Sequence, residues 1–396
     1  MAPSAFPGPS TQAAPVDPIP YGRQTIGPED RDAVAQAVAQ ALLTTGPTVR
    51  AFEDAFTGFL APDRDDLHGV ACATGTAALH LMMAALDLGP GDQVIVPALT
   101  FAATANAALY VGAEPVFADV DAQTLLIDPT SAARLIGPRT KALVGVDYAG
   151  QPCDWDALAA LARAHNLHLL ADGCHAPGAA DRGRPVGTLA DATSFSFHPV
   201  KHITTGEGGM VTTTDAALAE RLRHLRHHAM ARHDGDNPFR YDVTALGFNY
   251  RLSDINCALG LAQVARLPQW LDRRRALAAR YDAALAGIDG VSPLARRGDA
   301  SHAYHLYVIR TDGALAARRD ELAAGLRARG IGTAVHYPPL PQTTLYRERL
   351  GTRRGDCPAA DRAYKTILSI PLYPGLTDAQ ADRVVAAIAE AAAALS

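Results

Sequence analysis

The sequence predicts an α/β protein: a large domain built on a mostly parallel sheet covered by helices on both faces, then a smaller C-terminal α+β domain. Three observations predict it. Short β-like runs alternate with helical ones between Ala77 and His228, the pattern of a sheet whose strands are joined by crossover helices. From Trp270 that alternation gives way to a long charged helix and isolated strands. The chain has 396 residues, 48% of them apolar, which suffices for a substantial core and two domains.

In chain order, residues 1–20 are rich in Ala and Pro and read as a disordered leader, without the basic start and apolar core of a signal peptide. Helical patterning from Glu29 breaks at Thr44-Thr-Gly-Pro47 and resumes from Val49 to Leu60. Strands are expected at Gln93 to Pro97, Pro115 to Ala118, Ala142 to Val146, Leu167 to Ala171, Thr193 to Phe197 and Met210 to Thr213. Helices are expected at Ala77 to Leu86, Thr104 to Tyr110, Trp155 to His165, Ala216 to His228 and Leu252 to Leu267. The second part reads as a helix (Leu271 to Ala286), a strand (His305 to Arg310), a helix (Ala316 to Arg329), a strand (Ile367 to Leu372) and an Ala-rich helix from Asp378. These runs divide the chain into a large domain over residues 21–268 and a small one over 269–396.

Composition narrows the function classes. A net charge of −5 and a pI near 6.3 give no electrostatic case for nucleic acid or an anionic membrane as partner. No run reaches the ~18 apolar residues a membrane span needs. The five cysteines are scattered, odd in number and without a CxxC pair, which suits thiols in a reducing cytoplasm. His224, His227, His228 and His233 fall in and just beyond a basic helix with no Cys or carboxylate support, so they read as a surface face and no metal ligands are expected.

The chemistry concentrates in three runs. In Phe197-His-Pro-Val-Lys-His-Ile-Thr-Thr-Gly-Glu-Gly-Gly209, Lys201 lies between a strand and a glycine-rich turn. That place suits a buried amine able to form a Schiff base with a carbonyl cofactor. Leu167-His-Leu-Leu-Ala-Asp-Gly-Cys-His175 ends an apolar strand in Asp172, whose carboxylate can hold a pyridinium nitrogen protonated. Each has an ordinary alternative, a surface lysine and a helix cap. Together they form the minimal pair for pyridoxal 5′-phosphate (PLP). The third run, Ala71-Cys-Ala-Thr-Gly-Thr-Ala-Ala-Leu79, is a small-residue turn entering a helix, where free N–H groups and the positive end of the dipole attract an anion and Thr76 adds a hydroxyl. Ser196 near a strand end could donate to the phosphate, Phe101 could lie on a planar cofactor or simply be core, and His175 could bond the cofactor's ring hydroxyl or be structural. Gly247-Phe-Asn-Tyr-Arg-Leu-Ser-Asp254 precedes an apolar helix with Ser253 or Asp254 as cap. Asn249 and Arg251 are then loop side chains that can reach a ligand or a second subunit.

These runs resemble the DegT/DnrJ/EryC1/StrS family of PLP-dependent nucleotide-sugar aminotransferases, from Tyr21 to the C-terminus. Four runs carry a finer likeness to the transaminases of pseudaminic acid biosynthesis: Tyr21-Gly-Arg-Gln24, Ala103-Thr-Ala-Asn-Ala-Ala-Leu-Tyr-Val-Gly-Ala113, Gly150-Gln-Pro-Cys-Asp154 and the Lys201 run. The resemblance implies the fold-type-I PLP transferase architecture and a homodimer with shared active sites. By position it makes Lys201 and Asp172 catalytic. It assigns Thr76, Ala77 and Ser196 to the phosphate, Phe101 to ring stacking, His175 to the ring hydroxyl and Asn249 to the neighbouring subunit's phosphate. Tyr21 and Arg251 then contact substrate. It further implies glutamate as amino donor and, as acceptor, C4 of a UDP-linked 4-keto-6-deoxy-N-acetylhexosamine. The rivals are a sister enzyme acting on a GDP- or dTDP-linked ketosugar and a non-catalytic regulator with the same fold. A sugar dehydratase is disfavoured, because in the family that chemistry goes with His in place of the lysine.

Overall fold

The computed structural model describes residues 17–232 and 240–395. Its centre is a seven-stranded sheet of β1 (His68–Cys72), β2 (Gln93–Pro97), β3 (Glu114–Ala118), β4 (Thr140–Val146), β5 (His168–Asp172), β6 (Ala192–Ser196) and β7 (Gly209–Thr213). The strands lie in the order β1-β7-β6-β5-β4-β2-β3. Pairs among β2 to β6 are parallel, and β7 is antiparallel to both β6 and β1. The expected strands all form. β1 was not among them, because the small-residue run around Ala71 masks it.

The parallel strands are continuous apolar runs, such as Val94-Ile-Val96, because both faces of the sheet are covered. Successive residues of a strand point to opposite faces, so Val70 and Ala71 of β1 join different cores. One core holds Val70 with Leu79 of α3 (Gly75–Ala85), Ala105 of α4 (Ala102–Tyr110), Leu158 of α6 (Trp155–His165) and Leu222 of α7 (Ala216–Arg226). The other holds Ala71 and Phe195 with Phe52 and Phe56 of α2 (Pro47–Leu60) and Cys257 of α8 (Asp254–Val264). Burying one such Leu or Phe contributes roughly 1.5–3 kcal/mol. Ser253 caps α8 by accepting from Asn256 N at 3.2 Å. Asp254, the other cap candidate, instead reaches 208 residues back to accept from Gly46 N (2.8 Å) and Thr48 N (3.0 Å), closing the first turn of α2.

The C-terminal part has a third core around an antiparallel sheet, β8 (Val291–Pro293), β9 (Tyr307–Thr311) and β10 (Ile367–Ile370), packed by α10 (Arg319–Ala328) and α13 (Asp378–Ala393). The helix α9 (Leu267–Leu285) belongs to both parts: Leu267, Trp270 and Leu271 pack on the sheet core, Leu277, Tyr281 and Leu285 on the C-terminal one. The division expected at 268 therefore falls at the start of a continuous helix and not in a linker. Tyr346, Ala360 and Ala363 also return to the sheet core. The expected leader needs a correction at its end. Residues 1–16 lie outside the described residues, but Ile19 is buried in the C-terminal core and bridges Ile331, because an apolar side chain there completes that cluster.

Candidate active site

The C-terminal ends of β4, β5 and β6 bring Val146, Asp172 and Ser196 to one edge of the sheet, where open α/β sheets bind ligands. There the chain encloses a cavity of about 410 Å³. Tyr21, Thr76, Phe101, Asp172, His175, Ser196 and Lys201 all line it. These come from five separate stretches of sequence, gathered by strand ends and the loops that follow them.

Asp172 is buried at the floor. Its Oδ2 accepts from the Thr104 hydroxyl at 2.7 Å and its Oδ1 from the Cys174 amide at 3.2 Å. Lys201 is half-buried in the loop after β6, its amide donating to His198 O at 2.9 Å. Burial pulls its ammonium below the usual lysine range, against the opposing pull of Cys174 and Asp172. The chain has three lysines; Lys141 and Lys365 are exposed, and Lys201 alone lines the cavity.

The anion end is built by packing of main chain on main chain. Thr74 caps α3, its Oγ1 accepting from Ala77 N at 3.0 Å. Gly75 lies so close to β6 that a Cβ on it would sit 2.7 Å from the Ser196 Cβ. A Cβ on Gly209, at the start of β7, would sit 2.3 Å from Thr74 O. The two glycines thus let the loop, the Ser196 hydroxyl and the Lys201 segment converge. Ala77 departs from expectation: it does not line the cavity, and its amide is taken by Thr74, as Thr at an N-cap takes an amide of the first turn. Thr76 and Ser196 remain, with the first amides of α3.

Phe101 is 56% exposed although apolar, with its ring on the cavity and 5.8 Å from the Tyr337 ring. A flat aromatic ligand would cover it. His175 meets the Tyr337 hydroxyl through Nε2 at 3.2 Å, while its buried Nδ1 has no partner. Burial, then the Lys201 charge, holds His175 well below the ordinary histidine range. Burial does the same to His202 and His305, and brings His336 down to about 4. The imidazoles around the lysine are therefore neutral at neutral pH.

Asn249 and Arg251 do not line this cavity. Asn249 is exposed and bridges His227, and Arg251 places Nη1 2.6 Å from the His227 Nδ1. Arg251 faces a second hollow of about 340 Å³ with Arg50, Arg223 and Arg226. Of the histidines read as a surface face, His224 bonds the Thr244 hydroxyl at 2.7 Å and His233 lies outside the described residues. All five cysteines are free thiols.

Sequence reasoning did not single out Thr100, Thr104, Cys174, His305, His336, Tyr337 or Glu207. All but Thr104 line the cavity, and Thr104 supports its floor. The i, i+4 threonines and a His-Tyr pair before two prolines were available signals.

The cavity has the parts PLP requires: a lone amine, a buried carboxylate, an anion-binding helix end and an uncovered aromatic ring. Residues 24–389 match the DegT/DnrJ/EryC1/StrS aminotransferase family. The spore coat polysaccharide biosynthesis protein SpsC of Bacillus subtilis (strain 168) is 39% identical over 377 residues, covering 93% of this chain and 96% of SpsC. The structure of Helicobacter pylori PseC, an aminotransferase involved in the biosynthesis of pseudoaminic acid, superposes with a TM-score of 0.89 at 30% identity, covering 96% of this chain and 100% of PseC. The PLP form of Spr1654 from Streptococcus pneumoniae gives 0.89 at 30% identity, covering 96% and 100%. The chain belongs to the DegT/DnrJ/EryC1/StrS family and is a PLP-dependent sugar aminotransferase.

Proposed function

We propose that this enzyme moves an amino group from glutamate to C4 of a UDP-linked 4-keto-6-deoxy-N-acetylhexosamine, in pseudaminic-acid-type amino-sugar biosynthesis in the cytoplasm. The observation that carries the reaction is that the chain's one cavity lysine and the buried Asp172 face the same space. The choice of sugar is supported by the likeness to PseC over 96% of this chain and 100% of PseC. Among the described residues no helix is long and apolar enough to cross a membrane.

PLP supplies an electrophilic carbonyl and an electron sink. Lys201 would hold it through its amine, and the same amine, when free, would be the base that moves a proton between the donor's Cα and the cofactor's C4′. Burial favours this use, because it raises the neutral fraction of the amine. Asp172 balances the charge of the ring nitrogen. Thr76 and Ser196 hold the phosphate, Phe101 the ring face and His175 the ring hydroxyl. Tyr21, which lines the cavity with its ring 5.5 Å from that of His336, would meet the sugar. Asn249 and Arg251 complete the partner subunit's site in a homodimer.

A second reading, consistent with the 39% identity to a spore coat polysaccharide biosynthesis protein, is a sister enzyme acting on a GDP- or dTDP-linked ketosugar. Incubating the holoenzyme with glutamate and UDP-, GDP- or dTDP-linked 4-keto sugars distinguishes them. The proposal expects amination at C4 of the UDP sugar; a product from the GDP or dTDP sugar alone selects the second reading.

A further inference from the structure

The polar contacts of Asp172 contain a directional chain. Thr100 and Thr104 are 1% and 0% exposed, and their hydroxyls lie 2.9 Å apart. Thr104 Oγ1 in turn lies 2.7 Å from Asp172 Oδ2. A hydroxyl has one proton and a carboxylate oxygen can only accept. The Thr104 proton is therefore committed to Asp172, and the Thr100 hydroxyl must donate to Thr104. Two aligned O–H dipoles end on one carboxylate oxygen. With Cys174 N on Oδ1, they pin the carboxylate in one orientation while it faces the cavity.

We propose that Thr104, ordered by Thr100, is a positioning residue for PLP: it orients Asp172 toward the ring nitrogen and stabilises its charge there. This rests on the reading of Asp172 as the partner of that nitrogen. The consequence follows from the physics of the pair. A hydroxyl that donates to one carboxylate oxygen fixes which lone pairs remain for the ring nitrogen and points its dipole at the charge. Such bonds strengthen one another when aligned in a dry interior. The helix places the two hydroxyls: Thr100 and Thr104 are four apart around the start of α4, with Phe101 as N-cap between them. One short segment therefore presents Phe101 to the cofactor's face and Thr104 to the group at its nitrogen.

Thr104→Val keeps the shape and removes the hydroxyl, and Thr104→Ser keeps the hydroxyl. For holoenzyme of each, together with Asp172→Asn, the measurements are the PLP dissociation constant, the balance of the visible absorbance bands and kcat against KM for glutamate. The expectation for Thr104→Val is about tenfold weaker PLP retention, the scale of one charge-assisted hydrogen bond. It should also show an altered band balance and a lower kcat at little-changed KM, all largely restored in Thr104→Ser. If Thr104→Val matches the parent in affinity and spectrum while Asp172→Asn does not, the hydroxyl only fills space and the proposal is overturned. If Asp172→Asn also matches the parent, the reading of Asp172 fails and takes this proposal with it. Thermal melts of the PLP-free proteins separate either outcome from a folding defect.

Discussion

The floor of the cavity and the Gly247–Asp254 turn carry the same kinds of residue, yet the fold treats them in opposite ways. At the floor, both oxygens of Asp172 have donors and Lys201 is the one lysine on the cavity. At the turn, Asn249 is exposed and Arg251 looks into a separate, arginine-rich hollow. One chain gathers Asp172 and Lys201 on a single cavity and holds Asn249 and Arg251 away from it. The difference puts the proposed chemical centre within one chain, and the proposal that Asn249 and Arg251 serve a partner's site gives the turn its use.

The largest expected effect tests the self-sufficient half. In Lys201→Ala, covalent attachment of PLP and turnover should both vanish, though PLP can still bind non-covalently. Borohydride reduction followed by peptide mapping reads this directly. Only Lys141 and Lys365 remain as alternatives, both exposed, so label on either would refute the role of Lys201.

The next test addresses the turn. Asn249→Asp places a negative charge against the proposed phosphate position of the partner and should cut activity by orders of magnitude. Mixing it with Lys201→Ala should recover activity, because a mixed dimer contains one site with an intact lysine and an intact Asn249 from the other chain. If the subunits exchange, as shown by a tagged pull-down, and no activity returns, Asn249 serves its own chain and the comparison above loses its second half.

How far these regions were legible in the sequence follows from the same contrast. That Asp172, Lys201, Ser196 and Thr76 meet on one cavity was readable because strand ends and glycine turns are local patterns. Thr104 and His336 were not, because their roles depend on contacts 68 residues away for Thr104–Asp172 and 33 for His336–Ser369. The fold was legible where period and composition agreed, as in β2 and α6. It was not at β1, whose Gly and Ala residues hide a strand, nor at α9, where one helix serves two cores and erases the composition change as a boundary.

A smaller effect is expected where main chain meets main chain. Gly209→Ala adds a methyl group 2.3 Å from Thr74 O and 2.8 Å from Gly75 N, backbone atoms that cannot swing aside. The anion loop must move, so PLP affinity should fall about tenfold to a hundredfold with the fold retained, given that a small misplacement at a binding loop is costly. Titration of the PLP-free variant with PLP checks it. Unchanged affinity would show that the loop position is not what holds the phosphate.

The last effect falls on stability and not on activity, and concerns a carboxylate hidden behind the floor. Asp147 is 0% exposed; its Oδ1 accepts from Cys153 N and Trp155 Nε1, but its Oδ2 has no partner. Burial, with the Asp172 charge adding to it, raises this carboxyl to about 7 from an ordinary 3.8. The folded state therefore holds the proton more tightly than the unfolded chain. Stability from this group is complete below pH ~4 and is lost as pH rises toward 7, where the folded carboxyl also ionises. Asp147→Asn keeps the Oδ1 acceptor and cannot ionise, so it should escape that loss. Between pH 5 and pH 8 the parent should lose roughly 3 kcal/mol relative to the variant, two pH units at about 1.4 kcal/mol each. Denaturant unfolding of both holoenzymes at the two pH values measures the difference, and groups common to both cancel. Parallel losses would mean that Asp147 is ionised throughout and that the floor carries two negative charges. Diverging losses would show that below pH ~7 Asp147 adds no second charge behind Asp172, the condition on which the contrast with the open turn depends.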